Sequence, residues 1–217
     1  MKIAILGSGD VGLTLAGAFL ARGHQVMIGT RHTQKEGLLD WQAAHPAAQA
    51  GTYSETAAFG DVVVLCTGWT GTKAAIEMAG IWNFKKKIVI DVTNPLDGKG
   101  PDASGRLHLS TGNARSGGEQ VQSWLQEAHV VKALNSIGNS GMIAPAFSQG
   151  TPAMFIAGND DLAKLAVTDI LGQLGWKDVV DTGDIAMSRH LESLAVIWCA
   201  YGFRNGTWDH AFALLRK

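Results

Sequence analysis

The chain has 217 residues, 46% of them hydrophobic and 17% charged, with a formal net charge of −1. That is enough apolar content for a sizeable core, while the lack of a basic surplus excludes nucleic acid as the expected partner. No run of about 18 apolar residues occurs, so no membrane span is expected, and two cysteines, Cys66 and Cys199, rule out a disulfide scaffold and point to a reducing cytoplasm.

The first predicted element is a strand over Lys2–Leu6, too short an apolar run for a signal peptide because the glycines from Gly7 onward break it. A helix over Val11–Arg22 follows, closed by Gly23, and then a strand over Gln25–Gly29 and a short one near Ala50–Tyr53. Asp61–Cys66 and Lys87–Val92 read as strands covered on both faces, since Val62–Leu65 and Ile88–Ile90 show no polar alternation. A helix over Thr72–Ala79, closed by Gly80, lies between them. The segment Asn94–Ser116 is a long polar loop of the kind that carries function. The rest predicts a helix over Gly118–Glu127, strands over His129–Leu134 and Ala153–Ala157, a helix over Asp160–Leu174, a strand over Asp178–Asp181 and helix from Asp184 onward. Strand and helix alternate, so the expected class is α/β, with a doubly wound, mostly parallel sheet. Residues 1–181 form the expected nucleotide-binding domain, and 182–217 a helical segment packed on it. Glycine is abundant, 27 residues in 217, or about 12% against a usual value of about 7%.

Gly7-Ser8-Gly9-Asp10-Val11-Gly12 fits the spacing G-x-G-x-x-G between a strand and a helix. In that context Gly7 allows the tight turn, Gly9 lets backbone approach a pyrophosphate, and Gly12 lets the helix pack on the strand. The amides at the helix start then face the anion, while Asp10 is expected to point away from it. An adenosine ribose with a free 2′-hydroxyl is usually held by an acid about 20 residues beyond the glycines. Here Thr30 and Arg31 stand at that place, with Lys35 beyond. A guanidinium and an ammonium suit a 2′-phosphate, so NADP is expected rather than NAD.

Ligands in such sheets lie beyond the carboxyl ends of the strands. Those ends carry Thr67, Gly68 and Trp69, then Asn94, then Asn135. The two amides suit a ribose or a carboxamide, or else cap turns. Trp69 suits cover for a planar ring, or else fills a satellite core. No hydrolase elbow, metal spacing or general base stands out, and no catalytic side chain is assigned. That disfavours alcohol oxidation and suits hydride transfer to a flavin-like ring, where the cofactor carries the chemistry.

Taken in order, Gly7–Gly12, Gly29–Arg31, Asp91–Pro95, Ser116–Glu119, His129–Ile137 and Phe155–Asp160 resemble the NADP oxidoreductases dependent on coenzyme F-420, an 8-hydroxy-5-deazaflavin. The cytosolic domain of the six-transmembrane metalloreductases is similar. The resemblance implies a Rossmann domain with a small C-terminal cap, NADPH on the glycine loop, and a 2′-phosphate held by Thr30, Arg31 and Lys35. It further implies a deazaflavin, or FMN or FAD, stacked on the nicotinamide near Asn94 and Asn135–Gly138, and a homodimer. Two features depart from the pattern: Gly68–Gly71 replaces a Pro-containing loop, and the match weakens over Trp198–Leu215.

The leading expectation is a cytoplasmic NADPH-dependent oxidoreductase acting on a small-molecule acceptor. One alternative is a non-catalytic NADP(H) sensor, which would lack an open pocket over the nicotinamide. Another is an imine or β-hydroxyacid reductase, disfavoured because such enzymes carry a catalytic lysine on a long C-terminal helical domain. Here the only lysine of the C-terminal segment is the terminal Lys217.

Overall fold

The computed structural model describes residues 1–112 and 114–217. Among them eight strands form one sheet: β1 Lys2–Leu6, β2 Gln25–Gly29, β3 Gln49–Gly51, β4 Val62–Leu65, β5 Ile88–Asp91, β6 His129–Lys132, β7 Ala153–Gly158 and β8 Asp178–Asp181. Seven helices flank it: α1 Asp10–Ala21, α2 Glu36–Ala44, α3 Tyr53–Phe59, α4 Trp69–Ala79, α5 Gly117–Trp124, α6 Asp161–Gln173 and α7 Ser188–Asn205. The strand order is β3-β2-β1-β4-β5-β6-β7-β8. Strands β1 to β6 are parallel, and the chain reverses its direction of growth between β1 and β4. That reversal opens a crevice above the carboxyl ends of these two strands.

The alternation of β1 explains the two-sided core. Ile3 and Ile5 face α1 and α6, where Leu15, Phe19, Val167 and Leu171 are buried. Ala4 and Leu6 face the opposite layer, where Ala57, Ile76 and Val121 pack from α3, α4 and α5. Each such fully buried branched or aromatic side chain contributes about 1.5–3 kcal/mol. No helix is long and apolar enough to cross a membrane among the described residues.

Strand β7 runs antiparallel to β6, pairing Val131 with Gly158. A parallel return needs a crossover of a dozen residues or more, usually a helix. Residues 133–152 hold Pro145, Pro152 and one three-residue 3-10 turn at Asn139–Gly141 instead. Tyr53 is not in a strand. Thr52 and Glu55 form a capping box, and Tyr53 is the first residue of α3. Helix α2 has no counterpart among the predicted elements, and α4 begins at Trp69 rather than Thr72.

The C-terminal segment is one helix followed by an irregular tail. The tail returns to the sheet, where the Ala153 amide donates to the Phe212 carbonyl. His210 stacks on Trp198, with ring centroids 4.5 Å apart. The indole Nε1 of Trp198 donates to the His210 carbonyl at 2.8 Å.

Candidate active site

Two contiguous hollows run along the strand ends. The first, of about 460 Å³, is lined by Gly7, Ser8, Gly9, Thr30, Arg31 and Lys35, together with Tyr53 and Met78. The second, of about 470 Å³, is walled by Val11, Val92, Leu134, Ile137 and Met142, with Asn94 and Asn135 at its edge. Cys66, Thr67, Gly68 and Thr70 line both, so the two form one cleft.

The three glycines of the first turn do different work. Gly7 has φ +125, and a Cβ there would sit 2.7 Å from the Cys66 carbonyl oxygen. A Cβ on Gly12 would meet the Gly7 carbonyl oxygen at 2.1 Å, so α1 can rest on β1 only without a side chain at that position. A Cβ on Gly9 would meet nothing within 4 Å. Gly9 lines the cleft, and packing does not demand a glycine there. It is also the N-cap of α1 and places no side chain on the first-turn amides, which stay available for an anion. Asp10 is exposed in that first turn and lines neither hollow.

Thr30 is buried at the end of β2. Its hydroxyl accepts from Ser8 Oγ at 3.2 Å and from the His32 amide at 3.3 Å. These bonds tie the glycine turn to the segment carrying Arg31 and Lys35, two exposed cations on the cleft wall. Tyr53 and His32 join them there, and neither was singled out from sequence. The Thr52-x-x-Glu55 capping signal would have placed Tyr53 at a helix start beside this wall. Burial raises the Tyr53 phenol above its usual range, and the nearby Arg31 charge partly offsets that.

At the other end, Asn94 Nδ2 donates to the Asn135 carbonyl at 2.7 Å, and Asn135 Nδ2 donates to Asn94 Oδ1 at 3.0 Å and to the Leu191 carbonyl at 2.9 Å. Asn135 Oδ1 is buried without a partner. Asn135 is aimed by a left-handed Leu134, φ 58, a conformation that costs a non-glycine residue about 1 kcal/mol. Trp69 contributes one edge to the second hollow, but its ring stacks on Trp124 at 5.7 Å and lies against Gly117. It sits at the start of α4, not in a glycine loop, because Gly68 supplies the N-cap.

Behind Asn94 lies a fully buried ion cluster. Lys132 Nζ donates to Asp91 Oδ2 at 2.8 Å, to Glu192 Oε1 at 3.0 Å and to the Thr93 carbonyl at 2.7 Å. Glu192 also accepts from the Gly117 and Gly118 amides at 2.9 and 3.0 Å, the N-terminus of α5. Burial alone would pull the lysine down, yet Asp91 and Glu192 together hold it above its ordinary value. Burial first, and the Asp91 charge second, push the Cys66 thiol up. No spacing rule links Asp91, Lys132 and Glu192 in the sequence. The register that sets Asp91 beside Lys132 emerges only with the sheet.

Residues 2–95 match the family model described as NADP oxidoreductase, coenzyme F420-dependent. Over 203 residues the chain is 30% identical to an F420-dependent NADP reductase of Methanocaldococcus jannaschii, covering 89% of each. It is 26% identical to metalloreductase STEAP3 of Rattus norvegicus, covering 89% of this chain but 36% of that protein. A solved structure from an Arthrobacter species, described as a candidate F420-dependent NADP-reductase, superposes over the full length of both chains with a TM-score of 0.93 and 37% identity. An alignment of this length and identity, on a sheet and glycine turn of this form, shows that the chain belongs to the family of coenzyme F420-dependent NADP oxidoreductases.

Proposed function

We propose that the protein transfers a hydride between NADP(H) and a deazaflavin or flavin-type acceptor. The observation that carries this reading is the chemistry of the second hollow. Among the described residues lining it, none carries a carboxylate, imidazole, ammonium or phenol, and its one ionisable group is the Cys66 thiol, which is pushed up. A site without a general acid or base suits an acceptor ring that takes up its own proton from water.

The residues fit the cofactor along the whole cleft. Gly9 leaves room for a pyrophosphate beneath the α1 amides. Arg31 and Lys35, with Thr30 behind them, form a cationic wall for a 2′-phosphate, and Tyr53 and Met78 give the adenine an apolar face. NADPH, when bound, supplies the hydride. The protein's part is alignment: Asn94 and Asn135 hold each other and α7, while Val11, Val92, Leu134, Ile137 and Met142 give the reacting rings an apolar wall. The openness of this second hollow supports an enzyme over a sensor, and α7 carries no lysine to serve an imine-reductase mechanism.

The test offers NADPH with deazaflavin, FMN, FAD or a ferric chelate to the purified protein and follows loss of NADPH absorbance. Turnover with a ring acceptor is expected. Tight NADPH binding with no turnover on any acceptor would sink the catalytic reading.

A further inference from the structure

We infer that the buried Asp91–Lys132–Glu192 cluster biases the cofactor site toward oxidised over reduced nicotinamide, with Glu192 as a positioning residue that acts from α7. The inference rests on the cofactor reading above.

Every carboxylate oxygen in the cluster faces a donor. Asp91 Oδ1 takes the Thr93 amide at 3.0 Å and the Thr93 hydroxyl at 2.7 Å, and Oδ2 takes Lys132. Glu192 Oε1 takes Lys132 and the Gly118 amide, and Oε2 takes the Gly117 amide. Groups that only accept are carboxylates, so the cluster holds two anions against one ammonium. All three side chains are at most 1% exposed. Water and salt therefore screen them poorly. The cluster lies directly beneath the nicotinamide end, since Thr93 and Asn94 line the second hollow two and three residues beyond Asp91. The Asp91 charge is already felt at Cys66, which lines the same cleft.

Oxidised nicotinamide carries one positive charge that the reduced ring lacks. A net negative cluster beneath it favours the oxidised form, and so favours hydride donation by the reduced cofactor. One unit charge acting over roughly 10 Å at an effective dielectric constant of about 20 changes an equilibrium by on the order of tenfold. The α5 amides neutralise part of the Glu192 charge, so removing it should move the ratio by about three- to tenfold.

The experiment measures dissociation constants for NADP⁺ and NADPH by titration, without any acceptor, in the wild-type protein and in Glu192→Gln and Asp91→Asn. Thermal unfolding identifies which variants fold. NADP⁺ should weaken relative to NADPH in each folded variant, about three- to tenfold for Glu192→Gln. A merely structural role would weaken both nucleotides equally, and an unchanged ratio overturns the inference. In the wild type, raising the salt concentration should weaken both nucleotides together through Arg31 and Lys35 and leave their ratio fixed. A ratio that moves with salt would place the bias on exposed charges and overturn the inference even if neither variant folds. Failure of the wild type to bind either nucleotide would instead overturn the cofactor reading itself.

Discussion

Arg31, under the function proposed above, would select a cofactor without stabilising the fold. It is exposed, among the described residues it makes none of the ion pairs that brace other parts of the surface, and its neighbours on the cleft wall are Lys35, His32 and Tyr53. Replacing it should therefore leave thermal stability nearly unchanged, as surface substitutions usually do within about 0.5 kcal/mol. Binding is different. A charge-assisted bond to a phosphate contributes about 1.5–3 kcal/mol, so Arg31→Gln should weaken NADPH roughly 10- to 100-fold and NADH hardly at all. Calorimetric titration of the two nucleotides would show this, and equal losses would remove the 2′-phosphate contact from the model of the site. Gly12 lies at the opposite pole. It touches no proposed ligand group, yet a Cβ there would collide with the Gly7 carbonyl.

Among the elements, α5 and α7 share a joint that brings the C-terminal helix to the site. Glu119 closes a capping box with Ser116 and receives Arg189 of α7 through two hydrogen bonds, at 2.8 and 2.6 Å. The Arg189 bonds are the main reason its carboxyl is held down to about 2, against an ordinary 4.5. The folded-state value is the lower one, so the joint contributes fully above about pH 5 and loses that contribution as pH falls towards 2. Arg189 is 40% exposed, so solvent screens the pair to about 1 kcal/mol. Chemical denaturation should find Glu119→Gln less stable than the wild type by about that amount at pH 7, with the gap narrowing as pH falls below about 5 and closing only as pH nears 2. A gap that stayed constant with pH would show that the ion pair contributes nothing. At this scale the sequence was legible wherever a local rule acts. The bounds of β1, β2 and β8 follow from apolar runs and turn residues, and α1 follows from its glycines. Helix α2 was not, because Glu36–Ala44 buries only Leu38 and has no side-chain cap to announce it. Trp69 was ambiguous because Gly68 reads equally as loop and as N-cap. The antiparallel turn of β7 was legible only as the absence of a helical pattern over residues 133–152. The ion cluster was not legible at all, since its members come from β5, β6 and α7 and meet only through the register and the α5–α7 joint.

In the molecule as a whole, the cleft has two ends with different dependence on the C-terminal segment. The proposed phosphate end is built by β1, β2, α1 and the start of α3, where the Ser8–Thr30 bond and the Gly7 turn are local to the N-terminal half. The proposed acceptor end is backed by the tail. Trp198 packs against Gly138, where a Cβ would come within 2.7 Å of its ring, and Gly138 follows Ile137 on the wall of the second hollow. The tail holds Trp198 in place through the His210 stack, the Trp208 contact at 5.3 Å and the bond to the His210 carbonyl. Further along, Ala153 anchors to Phe212 and Arg216 pairs with Asp178. Ending the chain after Gly206 removes all of these at once. Trp208 is exposed and His210 and Phe212 are only half-buried, so a loss of about 1–3 kcal/mol in unfolding free energy is expected. The ends of the cleft should then separate in function. The dissociation constant for 2′,5′-ADP, which reaches only the phosphate end, should stay within about twofold of the wild type, because among the described residues no hydrogen bond or ring pair of residues 207–217 reaches the glycine turn, Thr30, Arg31 or Lys35. The KM for the ring acceptor should rise severalfold, because the Ile137–Met142 wall loses its backing. Steady-state kinetics beside a 2′,5′-ADP titration on the truncated protein would decide it. A parallel loss at both ends would mean that the cleft folds as one unit, with the tail supporting the glycine turn as much as the acceptor wall.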